Sequence, residues 1–201
     1  MTPNPEHPTR LVLIRHGETM GNRQQLWTGW SDTPLSDTGR EQVRRTAARL
    51  ELYPLGAGAL FSSSLGRAWR TAVPISQAIH LPPIANEALK EMHFGALDAI
   101  HGKHFARDHP ALYARWSNRR DENFGWPGGE TRREFRARVT SAMKRLAAAY
   151  PGQTILVITH SGLIRMTLAH FVPQRFGMWW HVQVSNCSLT HLLLDCSSPC
   201  F

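Results

Sequence analysis

Two apolar runs, residues 11–14 in LVLIRHGET and 155–158 in ILVITHSG, each stop two residues short of a histidine. Short unbroken aliphatic runs with no polar alternation are the pattern of strands buried on both faces. Such strands belong to a parallel sheet covered on each side by helices. The ligand crevice of an open α/β sheet lies just beyond the carboxyl ends of its strands. His16 and His160 therefore stand where chemistry is placed, and Arg15 adds a permanent cation beside the first. A lone histidine at a strand end would be read as structural. Two in matching positions ask for more.

The segments between these runs alternate helix and strand signals. Residues 9–15 read as a strand, and 36–50 as a helix capped by Ser36. Residues 58–62 read as a short strand and 65–79 as a helix. The stretch LPPIANEAL reads as a proline-rich link to Glu91. Residues 104–116 are expected to be partly helical, with Pro110 marking a break or a fresh start. NFGWPGG at 123–129 is a loop. Thr131 and Glu134 fit a capping box, and Phe135, Val139, Ala142 and Leu146 follow on one helix face. Strand 153–159, helix 162–171 and final strand material over 182–195 complete the pattern. The expected fold is a three-layer α/β/α sandwich around a mostly parallel central sheet. Without repeats or a linker, one domain spans 1–201, with 1–8 as a flexible N-terminus.

Composition narrows the function. The 201 residues, 42% of them hydrophobic, suffice for a full core without disulfides. No run of ~18 apolar residues is present to span a membrane. The N-terminal MTPNPEHPTR lacks the apolar stretch of a secretory signal. Cys187, Cys196 and Cys200 lack zinc-type spacing, so free thiols in a reducing cytoplasm are expected. The net charge of +8 comes from arginines dispersed along many segments. That dispersal argues against nucleic acid and suits small anionic substrates. His101, His104 and His109 are too loosely spaced to imply a metal. Ser161 follows a strand like a hydrolase elbow nucleophile, but Thr159 occupies the position where the elbow requires glycine.

If the two strands are parallel neighbours, His16 and His160 reach the same sheet edge. Gly17 and Gly162 would let backbone N–H groups approach a ligand, and helix starts offer further donors. With Arg15 and Arg67, in SSSLGRAWRTA, the result is a concave, cationic pocket suited to phosphate.

These motifs, RHGET, WTGWSDTPLSDTG, SSSLGRAWRTA, LKEMHFG and VITHSGLIR, resemble in sequence order the histidine phosphatase superfamily. That group includes the cofactor-dependent phosphoglycerate mutases, and the likeness runs from residue 11 to about 194. It implies a phosphoglycerate mutase-like fold and a phosphohistidine formed on His16. It also implies that Arg15, Arg67 and, if protonated, His160 hold the phosphoryl oxygens. Glu91 would protonate the leaving alkoxide and then deprotonate water. Asn22, Thr28, Gly29 and Ser161 would bind substrate, with no metal and no cofactor.

Within the superfamily, EMHFG and WPGGET resemble the phosphatase branch that holds α-ribazole phosphatases and broad phosphomonoesterases. Met92 and Phe94 stand where mutases carry arginine and tyrosine, while Arg119 and Arg120 keep part of the mutase pattern. Leu97, Asp98 and Ala99 occupy positions where phosphatases usually carry tryptophan, an acid and glycine. The expected function is hydrolysis of a small phosphorylated metabolite, releasing phosphate. The alternatives are a phosphoglycerate mutase and a phosphate-binding protein without turnover. Trp27, Trp30, Trp126, Trp179 and Trp180 could form an aromatic substrate subsite. Core packing or a subunit contact, as in a homodimer, is expected for at least half of them.

Overall fold

In this computed structural model, which describes residues 8–172 and 181–194, both histidine-bearing runs are central strands. Along the chain come β1 (Thr9–Arg15), α1 (Met20–Arg23), β2 (Leu26–Trp27), α2 (Asp37–Leu52) and β3 (Ala57–Ser63). Then follow α3 (Gly66–Ile79), β4 (Pro83–Asn86), β5 (Ile100–His101), α4 (Phe105–Asp108) and α5 (Pro110–Ser117). The long helix α6 (Arg132–Ala149), β6 (Thr154–Thr159), α7 (Ser161–Phe171) and β7 (Leu189–Leu194) complete the order.

The main sheet runs β4-β3-β6-β1-β7. Its first four strands are parallel, and β7 pairs antiparallel with β1. The register sets Leu11 beside Ile155 and Arg15 beside Thr159. Alternate residues of β1 and β6 then face opposite layers. Leu11, Leu13, Ile155 and Val157 pack with Val139, Met143 and Leu146 of α6 and Leu163 of α7. Val12, Ile14, Leu156 and Ile158 pack with Leu50 of α2 and Ala68, Ala72 and Ile75 of α3. Both faces of each strand are buried, so neither run can alternate. Truncating Leu13 to alanine in this core would cost about 2–5 kcal/mol. The architecture is the expected three-layer sandwich.

Local signals set the helix starts. Ser36 Oγ accepts from Gly39 N at 3.0 Å ahead of α2. Thr131 Oγ1 accepts from Glu134 N at 3.1 Å, and Glu134 Oε2 accepts from Thr131 N at 2.8 Å, closing the capping box of α6. Two readings change. Part of the proline-rich link is β4, an edge strand that begins at Pro83, where a missing N–H is tolerated. Residues 182–188 are not strand, and β7 starts at Leu189. The 1–7 part of the expected flexible terminus, Trp179, Trp180, Cys196 and Cys200 lie outside the described residues. Cys187 is a buried free thiol. Among the described residues no helix is long and apolar enough to cross a membrane.

Candidate active site

The register that aligns Arg15 with Thr159 brings the next residues of both strands together. His16 N donates to Thr159 O at 2.9 Å, and the His16 and His160 rings stand 5.2 Å apart. His16 Nδ1 lies 2.8 Å from Gly17 O. A carbonyl only accepts, so the proton sits on Nδ1 and Nε2 keeps its lone pair. Burial, reinforced by the charges of Arg67 and Arg15, pushes the His16 pKa well below the ordinary 6.5. The ring is a neutral base.

His160 is neutral for the same reasons, with burial first and then Arg67 and His16. Its Nε2 lies 2.8 Å from Ser63 Oγ, which itself accepts from Leu65 N at 3.3 Å. With Ser63 donating to Nε2, the proton rests on Nδ1, which has no acceptor among the described residues.

Arg67, on the first turn of α3, is 1% exposed. Its Nη1 donates to Ser31 O at 2.7 Å and its Nη2 to Gly29 O at 2.6 Å. Arg15 Nη1 donates to Val184 O at 2.7 Å. The Nε groups of both arginines are buried without a partner among the described residues. An unmet buried donor costs about 1–3 kcal/mol and is rare in folded proteins. Three such donors beside one neutral imidazole make a site for an anion.

Glu91 is 7% exposed. Its Oε1 accepts from Met92 N at 3.0 Å and its Oε2 from Gly162 N at 2.9 Å. The carboxylate thus sits at the N-terminus of α7, where the helix dipole favours an anion. A Cβ at residue 162 would lie 2.2 Å from Glu91 Oε1, so any larger residue there would displace the carboxylate. The glycine N–H groups expected to meet a ligand are engaged internally. That of Gly162 holds Glu91, and that of Gly17 donates to Thr71 Oγ1 at 3.0 Å.

These groups open onto a cavity of about 440 Å³. Arg15, His16, Asn22, Thr28, Glu91 and Ser161 line one side. Asn22 Oδ1 accepts from Thr19 N at 3.2 Å and Asn186 Nδ2 at 3.3 Å, which leaves its amide N–H₂ as a donor. Arg67, His160 and Gly29 stand behind this lining. The Gly29 N–H donates to Asp98 Oδ1 at 2.6 Å, so the loop holds Arg67 rather than offering its own amide.

The other side is aromatic and basic: Trp27, Phe94, Trp116 and Trp126, with Arg119, Arg132 and Arg165. Trp116 carried no sequence signal, since it resembles an ordinary apolar helix position, and Asp98 stood out only as the acid of the phosphatase pattern. Arg119 lies 3.7 Å over the Trp116 ring, and burial lowers its pKa to about 10. Arg132 donates to the carbonyls of Asn118, Asp121 and Trp116 at 2.9, 2.6 and 3.0 Å. Trp30 is instead 40% exposed, its Nε1 donating to Glu91 O at 2.9 Å.

A neutral buried imidazole beside two arginines, with a carboxylate on the same cavity wall, is an arrangement chemically suited to phosphoryl transfer. The chain belongs to the histidine phosphatase superfamily (branch 1), matched over residues 11–199. It is 32% identical over 193 residues to a bifunctional protein of Mycobacterium tuberculosis. That match covers 95% of this chain and 52% of the relative, so the chain spans about half of that protein's length. A 2,3-bisphosphoglycerate-dependent phosphoglycerate mutase of Methylobacterium sp. is 35% identical over 166 residues, 77% of this chain and 76% of its own. The crystal structure of the alpha-ribazole phosphatase from Shigella flexneri superposes with a TM-score of 0.78 at 30% identity. The superposition covers 90% of this chain and 89% of that one.

Proposed function

We propose that the chain is a metal-independent phosphomonoesterase that hydrolyses a small phosphorylated metabolite through a phosphohistidine. The observation that carries this reading is the Nδ1 contact of His16 with Gly17 O, which leaves a neutral Nε2 toward the cavity. Nε2 attacks phosphorus, and the N–P bond forms as the bond to the leaving oxygen breaks. Glu91 gives that oxygen its proton. Water then attacks phosphorus, Glu91 takes the water's proton, and the N–P bond breaks to free phosphate. Arg15, Arg67, His160 Nδ1–H and the Asn22 amide hold the phosphoryl oxygens. The hydroxyls of Thr28 and Ser161 flank them. Arginine charge serves where other phosphoryl-transfer enzymes use magnesium.

Met92 and Phe94 line the cavity and favour hydrolysis over transfer to a carboxylate-bearing sugar acid, since neither can pair with a carboxylate. The organic part of the substrate then lies against Trp27, Trp116 and Trp126. Arg119 and Arg165 in the same wall keep the mutase as second reading. A mutase would need a bisphosphoglycerate to start and would release little phosphate. A protein that only bound phosphate would have no use for Glu91. The partners are a cytoplasmic phosphate ester and free phosphate.

The test is phosphate release from a panel of phosphomonoesters in EDTA, repeated with His16→Ala. Metal-free release that disappears with the substitution is the expected result. Release that persists in His16→Ala would sink the mechanism, and a requirement for bisphosphoglycerate would favour the mutase.

A further inference from the structure

Asp98 never reaches the cavity, yet its carboxylate accepts four backbone N–H bonds. Oδ1 takes Gly29 N at 2.6 Å and Ala99 N at 2.9 Å. Oδ2 takes Trp30 N and Ser31 N, each at 2.8 Å. On the other side of the same strap, the carbonyls of Gly29 and Ser31 accept from the Arg67 guanidinium at 2.6 and 2.7 Å. The Thr28 carbonyl accepts from it at 3.4 Å. A short piece of backbone is thus held between a carboxylate and a guanidinium, its amides turned to one and its carbonyls to the other. With both Nη groups engaged, Arg67 is fixed in orientation, and its Nε–H has no partner among the described residues.

We infer that Asp98 is a positioning residue for the phosphate site: by ordering residues 29–31 it aims the Arg67 guanidinium. The inference rests on the reading of this pocket as a phosphate site. A charge-assisted carboxylate–amide bond is stronger than a neutral one, and four on one carboxylate fix a loop that lacks secondary structure. Replacing an oxygen by an amide group leaves two backbone N–H groups facing a donor, whichever way the new side chain turns.

The geometry and the charge predict opposite outcomes for Asp98→Asn. By Coulomb's law alone, removing a negative charge near an anion site tightens anion binding. By positioning, it loosens Arg67 and weakens binding. The measurement is the dissociation constant of inorganic phosphate by calorimetry, on protein shown to be folded by its melting curve. Asp98→Asn is expected to weaken phosphate binding about tenfold, the size of one charged hydrogen bond. An unchanged or tighter constant overturns the inference. In an Arg67→Met background, Asp98→Asn is expected to add nothing. An equal further loss there would mean that Asp98 does not act through Arg67. Should Asp98→Asn fail to fold, Asp98→Glu keeps the charge and moves the carboxylate by one methylene. Weaker binding is expected there too, and wild-type affinity overturns the inference. Turnover does not enter these measurements, so phosphate release that survives His16→Ala would remove the phosphohistidine mechanism and leave Asp98's role standing.

Discussion

His16 and Trp126 line the same cavity and are equally buried, at 4% exposure each, but they are held in different ways. His16 follows a strand flanked on both sides, and both its ring Nδ1 and its backbone N–H are bonded. Trp126 sits in the loop between α5 and α6, and its indole N–H is buried without a partner among the described residues. Its ring rests on Phe94, Phe124 and Phe105 at centroid distances of 4.8, 5.2 and 5.3 Å. The phosphate half is specified by directional bonds into the sheet, which admit one geometry. The aromatic half is specified by dispersion, which tolerates different rings of similar volume. One half can keep its chemistry while the other changes its substrate.

Removing the nucleophile breaks that contrast most severely. His16→Ala is expected to lower kcat by at least about four orders of magnitude, the scale of losing a covalent nucleophile. The aromatic half should be untouched, so the dissociation constant of the dephosphorylated product should stay within a few-fold. Rapid-quench kinetics and product titration read the two effects separately. If product affinity collapses with kcat, the halves are not independent.

The reverse cut is Arg132→Met. Its guanidinium ties Trp116, Asn118 and Asp121 together, and the substitution removes three hydrogen bonds, though each carbonyl keeps a second donor. A loss of about 3 kcal/mol is expected from the three lost bonds, at about 1 kcal/mol each. It should be local. Amides of residues 110–131 should exchange faster in deuterium, while β1 and β6 stay protected. KM should rise more than kcat falls. Equal loss of protection in the sheet would contradict two separately held halves.

Acid probes the phosphate half. His16 and His160 are both held well below 6.5 in the folded chain and return to about that value on unfolding. Below pH 6.5 the unfolded chain binds two protons that the folded chain refuses. Their contribution to stability is therefore complete above that pH. It declines as pH falls toward the depressed folded values, by about 1.4 kcal/mol per pH unit for each histidine. Denaturant midpoints between pH 7 and pH 5 should follow this slope, and His16→Ala should make it shallower. A flat profile in the wild-type chain would show that the histidines are not held neutral.

The same contrast explains what the sequence disclosed. The runs at 11–14 and 155–158 announce buried strands because both faces are covered, and the matching histidines follow from their register. Ser36 and Thr131 were readable because a cap acts over three residues. Strand β4 was hidden by its prolines, which suit only an edge. The contacts of Asp98 were not legible because the amides it orders on residues 29–31 lie 67 to 69 residues away in the chain. Trp116 was missed because a tryptophan on a short helix has the same local pattern whether it lines a cavity or fills a core. Gly29 drew attention as a donor to substrate, whereas its N–H serves Asp98. Directional local patterns leave a trace in sequence, and contacts made by shape across distant loops do not.

Ala99 lies on the seam between the halves and supports the mildest test. Its φ of 62° is in the left-handed region, where an alanine Cβ costs about 1–2 kcal/mol. Its N–H bonds both Trp27 O at 2.8 Å and Asp98 Oδ1 at 2.9 Å, so the strain is held in place by a strand residue and the loop-ordering carboxylate. Ala99→Gly removes the strain but gives the unfolded chain more freedom, a loss of about 0.5–1 kcal/mol. The balance is a stabilisation of about 0.5 kcal/mol, from the difference between those two terms. It should appear as a small rise in melting temperature, with phosphate affinity unchanged because both hydrogen bonds use the backbone. Ala99→Val should do the opposite, since a β-branched residue fits that region worse than alanine. If the glycine variant instead binds phosphate more weakly, the left-handed turn is part of what aims Asp98, and the seam belongs to the phosphate half.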